Sequence, residues 1–565
     1  MIPNPIYMSQ TMKTNIAEYL SETAKLYPQR KAISHHSGHD RLGRVTYSAL
    51  TFSQLENLTN AYASEFKCHG IVKGTKTLMM LRPSIDFIAA VFAVFKVGAI
   101  PILIDPGMGR KNMLKCIKST KPEALVAESE VHWIKYLFPS TFKTIKIAFA
   151  YGKRAPFGIS KLEDIAETLI NKPELSFSFE TEETKLEDTA AILFTTGSTG
   201  PPKGVVVTHE IFIAQTEIIR QTYGAGPDHV DMPAFPLFAL FAAALGMSCV
   251  LPDMDPTKPS QVDPRKVIEA ITNHGVSFSF GSPAFWRTVA TYCVEHKIKL
   301  PSLKRVLMAG APVNDELHQL VKQIMPDDGE TMVPYGCTES LPIVNFNGTE
   351  MLAETAELTR NGKGFCVGYP IDGMTVRVIK SIDEVIGTWD DSFELPVGQV
   401  GEITIKGAVV TPEYYNNPKA TALAKIKDSD GKLIHRMGDV GYFDEKGRLW
   451  FCGRKTHRVI TEDKIFYTVC CEAIFNSHEK VFRTALVGVG KGTKRKAVLI
   501  VEPFTMPATD EEKQTIIDEL LLLGNKHTFT SDIQDVLFHE SFPVDIRHNA
   551  KIFREKLAIW AQKKR

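Results

Sequence analysis

Ten consecutive residues, Thr195-Thr196-Gly197-Ser198-Thr199-Gly200-Pro201-Pro202-Lys203-Gly204, carry four hydroxyls, three glycines and a lysine. Such a loop handles phosphate. Glycines let backbone N–H groups approach a polyphosphate, hydroxyls donate hydrogen bonds, and lysine supplies positive charge. It is not a Walker A loop, because Lys203 is followed by Gly204 and the β-branched run Val205-Val206-Val207 rather than by a Ser or Thr opening a helix. Ala190–Phe194 before the loop also has strand character, so the loop is expected to join two strands. Two apolar flanks make a flexible Gly/Ser linker a poor alternative.

The elements that must position this loop follow from apolar patterning. From about residue 15 to 380, helical patterns (Ile16–Leu26, Phe52–Phe66, Lys111–Ser119) alternate with short apolar runs (Thr77–Leu81, Ala99–Ile104, Leu125–Ala127, Ser277–Phe280, Arg305–Met308). That alternation predicts a layered α/β structure with buried strands. Beyond about 365, Thr375–Ile379, Gly401–Lys406 and Leu449–Gly453 are short strands punctuated by glycines, a small β-rich subdomain. A boundary is expected after Gly453-Arg454, giving a large domain over 1–454. A small α+β domain over 455–565 would hold strands at Thr484–Val489 and Ala497–Val501 and a helix at Asp510–Leu523.

Length and composition set the class. At 565 residues and 44% hydrophobic content the chain holds more than one compact unit. Its 66 basic and 65 acidic residues give no general support for nucleic-acid binding. Nine cysteines without C-x-x-C spacing indicate reduced thiols and a cytoplasmic protein. No signal peptide is evident. The apolar stretches Phe87–Asp105 and Phe235–Pro252 are interrupted by Gly and Pro, so each is expected to be a buried helix–strand pair rather than a membrane span.

Four further segments join the loop: Met308-Ala309-Gly310-Ala311-Pro312, Tyr335-Gly336-Cys337-Thr338-Glu339, His435-Arg436-Met437-Gly438-Asp439 with Gly453-Arg454, and Ala550-Lys551-Ile552-Phe553-Arg554. In this order they resemble the motifs of the adenylate-forming enzymes, the group of acyl-CoA synthetases, peptide-synthetase adenylation domains and luciferases. The resemblance implies ATP and Mg²⁺ as cofactors and activation of a carboxylate by attack on the α-phosphorus. Thr195, Thr196, Gly197, Ser198, Thr199, Gly200 and Lys203 would hold the phosphates, and Gly310, Ala311, Pro312, Tyr335 and Gly336 the adenine. Thr338 would donate to the α-phosphate, Glu339 would ligate the metal, and Asp439 would take the ribose hydroxyls near Arg454. Lys551 would neutralise the charge that develops at phosphorus. The resemblance also implies a mobile small domain turning about Thr456, where the family usually has Asp or Lys.

Three departures bear on what attacks the acyl-adenylate. The stretch 461–468 lacks the family's usual glycine, Pro236-Leu237-Phe238 is followed by Ala239 rather than histidine, and Asn549-Ala550-Lys551 replaces Ser-Gly-Lys. Together with Phe235–Phe241, Pro252–Thr257, His435–Phe443 and Pro543–Lys551, they resemble the olefin β-lactone synthetases. That implies a long-chain 2-alkyl-3-hydroxy fatty acid substrate, closure by its own β-hydroxyl, and a multienzyme assembly with other olefin-biosynthesis enzymes. A long-chain fatty acyl-CoA synthetase or acyl-AMP ligase is the alternative. Phe235, Phe238, Phe241, Phe280, Phe285 and Trp286 are candidates to line a water-excluding acyl pocket, against a plain core role. No base for the β-hydroxyl stands out; His435 and His548 flank the motifs and are equally suited to structural roles.

Overall fold

The apolar runs expected as strands form two large sheets. The structure is a computed structural model, and it describes residues 13–152, 155–156, 158–172, 174–194, 202–492, 495–544 and 552–564. Thr195, Thr196, Gly197, Ser198, Thr199, Gly200 and Lys551 lie outside the described residues.

One sheet has seven strands, in the order Ser160–Lys161, Ile147–Tyr151, Ala124–Glu128, Lys76–Met80, Ile100–Ile104, Thr189–Phe194 and Gly204–Thr208. All its pairings are parallel except the last, where Phe194 faces Gly204 across an antiparallel ladder. Strands Thr189–Phe194 and Gly204–Thr208 thus pair as a β-hairpin at a sheet edge. Gly204 is required there, because a Cβ would lie 2.6 Å from the Phe194 ring. Helix Ile85–Lys96 has ten consecutive buried residues after Asp86 and turns through Gly98 into strand Ile100–Ile104, as the interrupted apolar stretch required. Helix Ala239–Leu245 turns likewise through Gly246 into Ser248–Leu251. No helix among the described residues is long and apolar enough to cross a membrane.

The other sheet has fourteen strands and changes character along its width. Lys31–His39, Ser248–Leu251, Val230–Asp231, Phe278–Gly281, Arg305–Met308 and Glu330–Cys337 are parallel neighbours. From Glu330–Cys337 onward the pairing turns antiparallel, through Ser340–Asn347, Phe365–Pro370, Leu449–Arg454, Leu433–Phe443 and Gly401–Lys406 to Thr375–Ile379. The β-rich region beyond 365 is therefore not a separate sheet. Its strands continue the large one, which satisfies the N–H and C=O groups an edge would leave open. The junction is tight: at Gly368 (φ +94°) a Cβ would strike the Asn345 carbonyl.

Beyond the turn Lys455–His457, which contains Thr456, a three-stranded sheet pairs Val481–Val489 antiparallel and Asp535–Phe538 parallel with Lys496–Pro503. Helices Thr468–Phe475, Asp510–Asn525 and Arg554–Lys564 accompany it. Separate apolar clusters form on its two faces, one around Phe475, Leu486 and Leu520 and one around Val487, Ile500 and Leu557.

Candidate active site

Thr338 and Glu339 form the turn between Glu330–Cys337 and Ser340–Asn347, where the large sheet changes from parallel to antiparallel. The turn is closed tightly. A Cβ on Gly336 would lie 2.9 Å from the Ser340 carbonyl oxygen and 3.0 Å from Leu341 Cβ, so only glycine fits before Cys337. The phosphate-loop hairpin and the Thr338–Glu339 hairpin belong to different sheets. The segment 411–415 ties them together. Thr411 donates from its N and its hydroxyl to the Glu339 carbonyl, both at 3.0 Å, and the Tyr414 hydroxyl donates to Glu339 Oε1 at 2.6 Å. On the other side, Tyr415 N donates to the Gly204 carbonyl at 2.7 Å. Lys203 Nζ sits 4.7 Å over the Tyr414 ring, a cation–π contact. Tyr414 thus touches both the loop lysine and Glu339.

Two further groups set the charge at Glu339. Lys425 is buried, donates to Thr411 Oγ1 at 3.3 Å and stands opposite His435 in the antiparallel ladder. Burial lowers the Lys425 ammonium to about 8, against the attraction of Glu339 and Cys337. Burial, with Lys425 adding to it, pushes His435 down to about 3. Burial opposes ionisation of Glu339, yet its neighbours hold the carboxyl below the usual carboxylate value: the attraction of His435 first, then the hydrogen bond from the Tyr414 hydroxyl, with Lys425 adding to it.

The donors at this turn suit the Mg²⁺ that the resemblance implies. A hard cation bound mainly through substrate phosphates needs one or two carboxylate ligands. Glu339 offers an ionised one, with Thr338 beside it, and fits. Cys337 Sγ and a ring nitrogen of His435 lie within 4.8 Å of a Glu339 oxygen, but thiol and imidazole suit softer ions.

A second carboxylate lies on the neighbouring strands. Asp439 is 3% exposed; it accepts a hydrogen bond from the Tyr335 hydroxyl at 2.6 Å and pairs with Arg454 Nη1 at 2.7 Å. Asp439 and Arg454 face each other across the ladder between Leu433–Phe443 and Leu449–Arg454. Gly310 (φ +92°), Ala311 and Pro312 follow the C-terminal end of strand Arg305–Met308, at the edge from which open α/β sheets present ligand sites.

A cavity of about 1020 Å³ reaches this hairpin at Thr338 and Leu341. It lies between the two large sheets, with Met79, Leu103 and Leu193 on one side and His35 and Leu251 on the other. Most of its lining is apolar. Phe235, Phe238 and Phe241 contribute to the wall. Phe280 stacks behind Phe238, ring centroids 3.9 Å apart. Phe285 and Trp286 are fully buried in a different apolar cluster, with Val289, Val306 and Met308, and do not line the cavity.

The structure brings Lys203, Thr338 and Glu339 together and sets Tyr335, Asp439 and Arg454 as a second group. No sequence motif points to Tyr414, Thr411 or Lys425. Their signal in the sequence is slight: a Tyr-Tyr pair before Asn416-Asn417-Pro418, and one of the two lysines flanking Ile426 in a three-residue strand.

Comparison with known proteins identifies the family. Residues 20–415 match the family described as AMP-binding enzyme. An olefin beta-lactone synthetase of Xanthomonas campestris pv. campestris is 40% identical over 98% of this chain and 99% of its own length. One of Stenotrophomonas maltophilia is 40% identical over 97% and 98%. An amide bond synthetase of Marinactinospora thermotolerans, 22% identical, shares the fold with a TM-score of 0.76 over 96% of this chain and 99% of its own. The chain belongs to the AMP-binding enzyme family.

Proposed function

We propose that this protein is an ATP-dependent β-lactone synthetase acting on long-chain 2-alkyl-3-hydroxy fatty acids. The observation that carries this reading is the 40% identity, over 98% of the chain, to an olefin beta-lactone synthetase. In the first step a substrate carboxylate oxygen attacks the α-phosphorus of ATP, and pyrophosphate leaves. In the second, the β-hydroxyl oxygen attacks the acyl carbon, its proton passes to a base, and AMP departs as the four-membered ring closes. Tethering nucleophile and electrophile in one molecule supplies the proximity that an external thiol would otherwise need.

The residues divide this work. Lys203 and the loop 195–200 hold phosphates; Asp439 accepts the ribose hydroxyls while Arg454 balances its charge; Tyr335 faces the adenine. Mg²⁺ at Glu339 would neutralise phosphate oxygens. Tyr414 and Lys425 keep Glu339 ionised and fix its position. Lys551, delivered by the domain 455–565 turning about Thr456, neutralises charge at the phosphorus. The cavity excludes water from the adenylate and holds the alkyl chains. The free cysteines suit a reducing, cytoplasmic setting. Association with other enzymes of olefin formation rests on the resemblance alone.

The test is product analysis. The purified chain is incubated with ATP, Mg²⁺ and a 2-alkyl-3-hydroxy fatty acid, with and without CoA, and products are identified by mass spectrometry. A β-lactone formed without CoA is expected. A thioester formed only with CoA would overturn the reading in favour of a long-chain acyl-CoA synthetase.

A further inference from the structure

Helix Ser129–Leu137 has two unlike faces. His132 is buried and its Nε2 lies 3.0 Å from the Phe149 carbonyl, while Val131 lines the large cavity. The other face is apolar and open to solvent: Trp133 is 55% exposed, Ile134 38%, Tyr136 64% and Leu137 74%. The spacing 133, 136, 137 puts the largest of these on one stripe, and the Trp133 and Tyr136 rings lie 6.2 Å apart. Lys135 Nζ stands 6.0 Å from the Tyr136 ring.

The adjacent helix, Arg110–Thr120, is the complement in charge. Arg110, Lys111, Lys115 and Lys118, with Lys121 just beyond, are all exposed, and no acidic residue occurs from 110 to 121. Over 110–146 the sequence holds eight Lys/Arg and three Asp/Glu, whereas the whole chain is balanced at 66 and 65. The two helices share an apolar cluster that includes Cys116, Ile117, Val131 and Phe142, and the short helix Pro139–Phe142 packs against both. Each also reaches the cavity, through Met113 and Val131 respectively.

An exposed Trp/Tyr/Leu stripe beside an unopposed basic helix matches an anionic lipid surface. The aromatic rings enter the headgroup region while the lysines neutralise lipid phosphates. We infer that helices Arg110–Thr120 and Ser129–Leu137 form a docking face for anionic membrane lipid, from which a lipophilic substrate enters the cavity behind Met113 and Val131. The identity of that substrate rests on the proposed activity; the docking itself does not, and it is measured without ATP or acyl substrate.

The test is flotation of the full chain with vesicles of equimolar phosphatidylglycerol and phosphatidylcholine, against vesicles of phosphatidylcholine alone. Binding to the anionic vesicles, lost at high salt, is expected. The triple variant Lys111→Glu/Lys115→Glu/Lys118→Glu should bind at least about tenfold less, because each lysine near an anionic leaflet adds to the attraction and each glutamate opposes it. The variant Trp133→Ser/Tyr136→Ser/Leu137→Ser should lose binding with an unchanged unfolding temperature. Absence of binding, equal binding to neutral vesicles, or full binding by the charge-reversal variant would overturn the inference. So would sedimentation showing a dimer that the Trp133→Ser/Tyr136→Ser/Leu137→Ser variant dissociates, since a second copy would then cover this face.

Discussion

At the nucleotide end of the site, side chains and backbone from distant segments converge on two carboxylates, Glu339 and Asp439, through short directional contacts. At the acyl end, the wall around Phe235, Phe238 and Phe241 draws on both sheets and several helices, and its contacts are apolar and non-directional. The difference lies in what each end can tolerate. A hydrogen-bonded ionised group loses its function when a single partner is removed, because the group is left buried and unpaired. An apolar wall loses only area and shape. On the proposed function, one end would therefore decide whether the reaction occurs, and the other which chain is accepted.

The sharpest break of this contrast is Lys551→Ala. It should lower pyrophosphate release by about 10³, on the scale of removing a group that acts on transition-state charge, with the unfolding temperature unchanged. Undiminished pyrophosphate release would remove Lys551 from the chemistry. Glu339→Gln keeps the shape of the side chain and removes its charge. A fall of about 10² in adenylation rate is expected, with a steeper dependence on Mg²⁺ concentration. Tyr414→Phe removes only the hydroxyl that donates to Glu339. A hydrogen bond to a charged group contributes about 1.5–3 kcal/mol, so adenylation should fall about 10- to 100-fold; a change under twofold would show that Lys425 suffices to place Glu339.

The acyl end should respond differently. Phe238→Ala removes the ring stacked on Phe280 and enlarges the cavity. Adenylation of a mid-length substrate should change less than about tenfold while the preferred alkyl length rises, as a series of substrates of graded length would reveal. A uniform loss at all lengths would mean that the wall positions the carboxylate.

The smallest effect is on pH dependence. His435 titrates near 3 in the folded protein, below its ordinary 6.5, because burial and Lys425 disfavour its charge. The unfolded chain then binds the proton first, so stability present above about pH 6.5 is lost as the pH falls toward 3. Replacing it, His435→Gln, should flatten that acid limb of the unfolding profile; an unaltered limb would mean that other groups govern it.

The motifs proposed to hold the nucleotide are legible in the sequence because they are written in contiguous runs. The strands flanking 195–204, the Tyr335–Glu339 turn and Asp439 with Arg454 lie in short stretches whose residue types match their tasks. Tyr414 and Lys425 were not legible, since they act only through pairing with other segments: Tyr415 with Gly204 of the other sheet, Lys425 opposite His435 within its own. The acyl end was legible only in part. Phe235 and Phe285 are alike in type and local pattern, and the packing of helix Pro283–Glu295 against Val306 and Met308 sends Phe285 into the core. The β-rich region beyond 365 has the turn spacing of an independent sheet, yet backbone hydrogen bonding joins it to the parallel strands.

By itself the sequence determined which side chains are offered for chemistry: a Gly/Ser/Thr run between two strands, the carboxylates Glu339 and Asp439, and the alternation of helices and buried strands that carries them. These depend on nearest neighbours along the chain, where side-chain type and spacing suffice. Only the tertiary structure decided which groups hold Glu339 ionised, which phenylalanines face the cavity, and that the exposed Trp133 stripe lies beside a basic helix on the cavity wall. Each of these depends on which distant segments share a hydrogen bond or an apolar surface, and that choice is made by the packing of the whole chain.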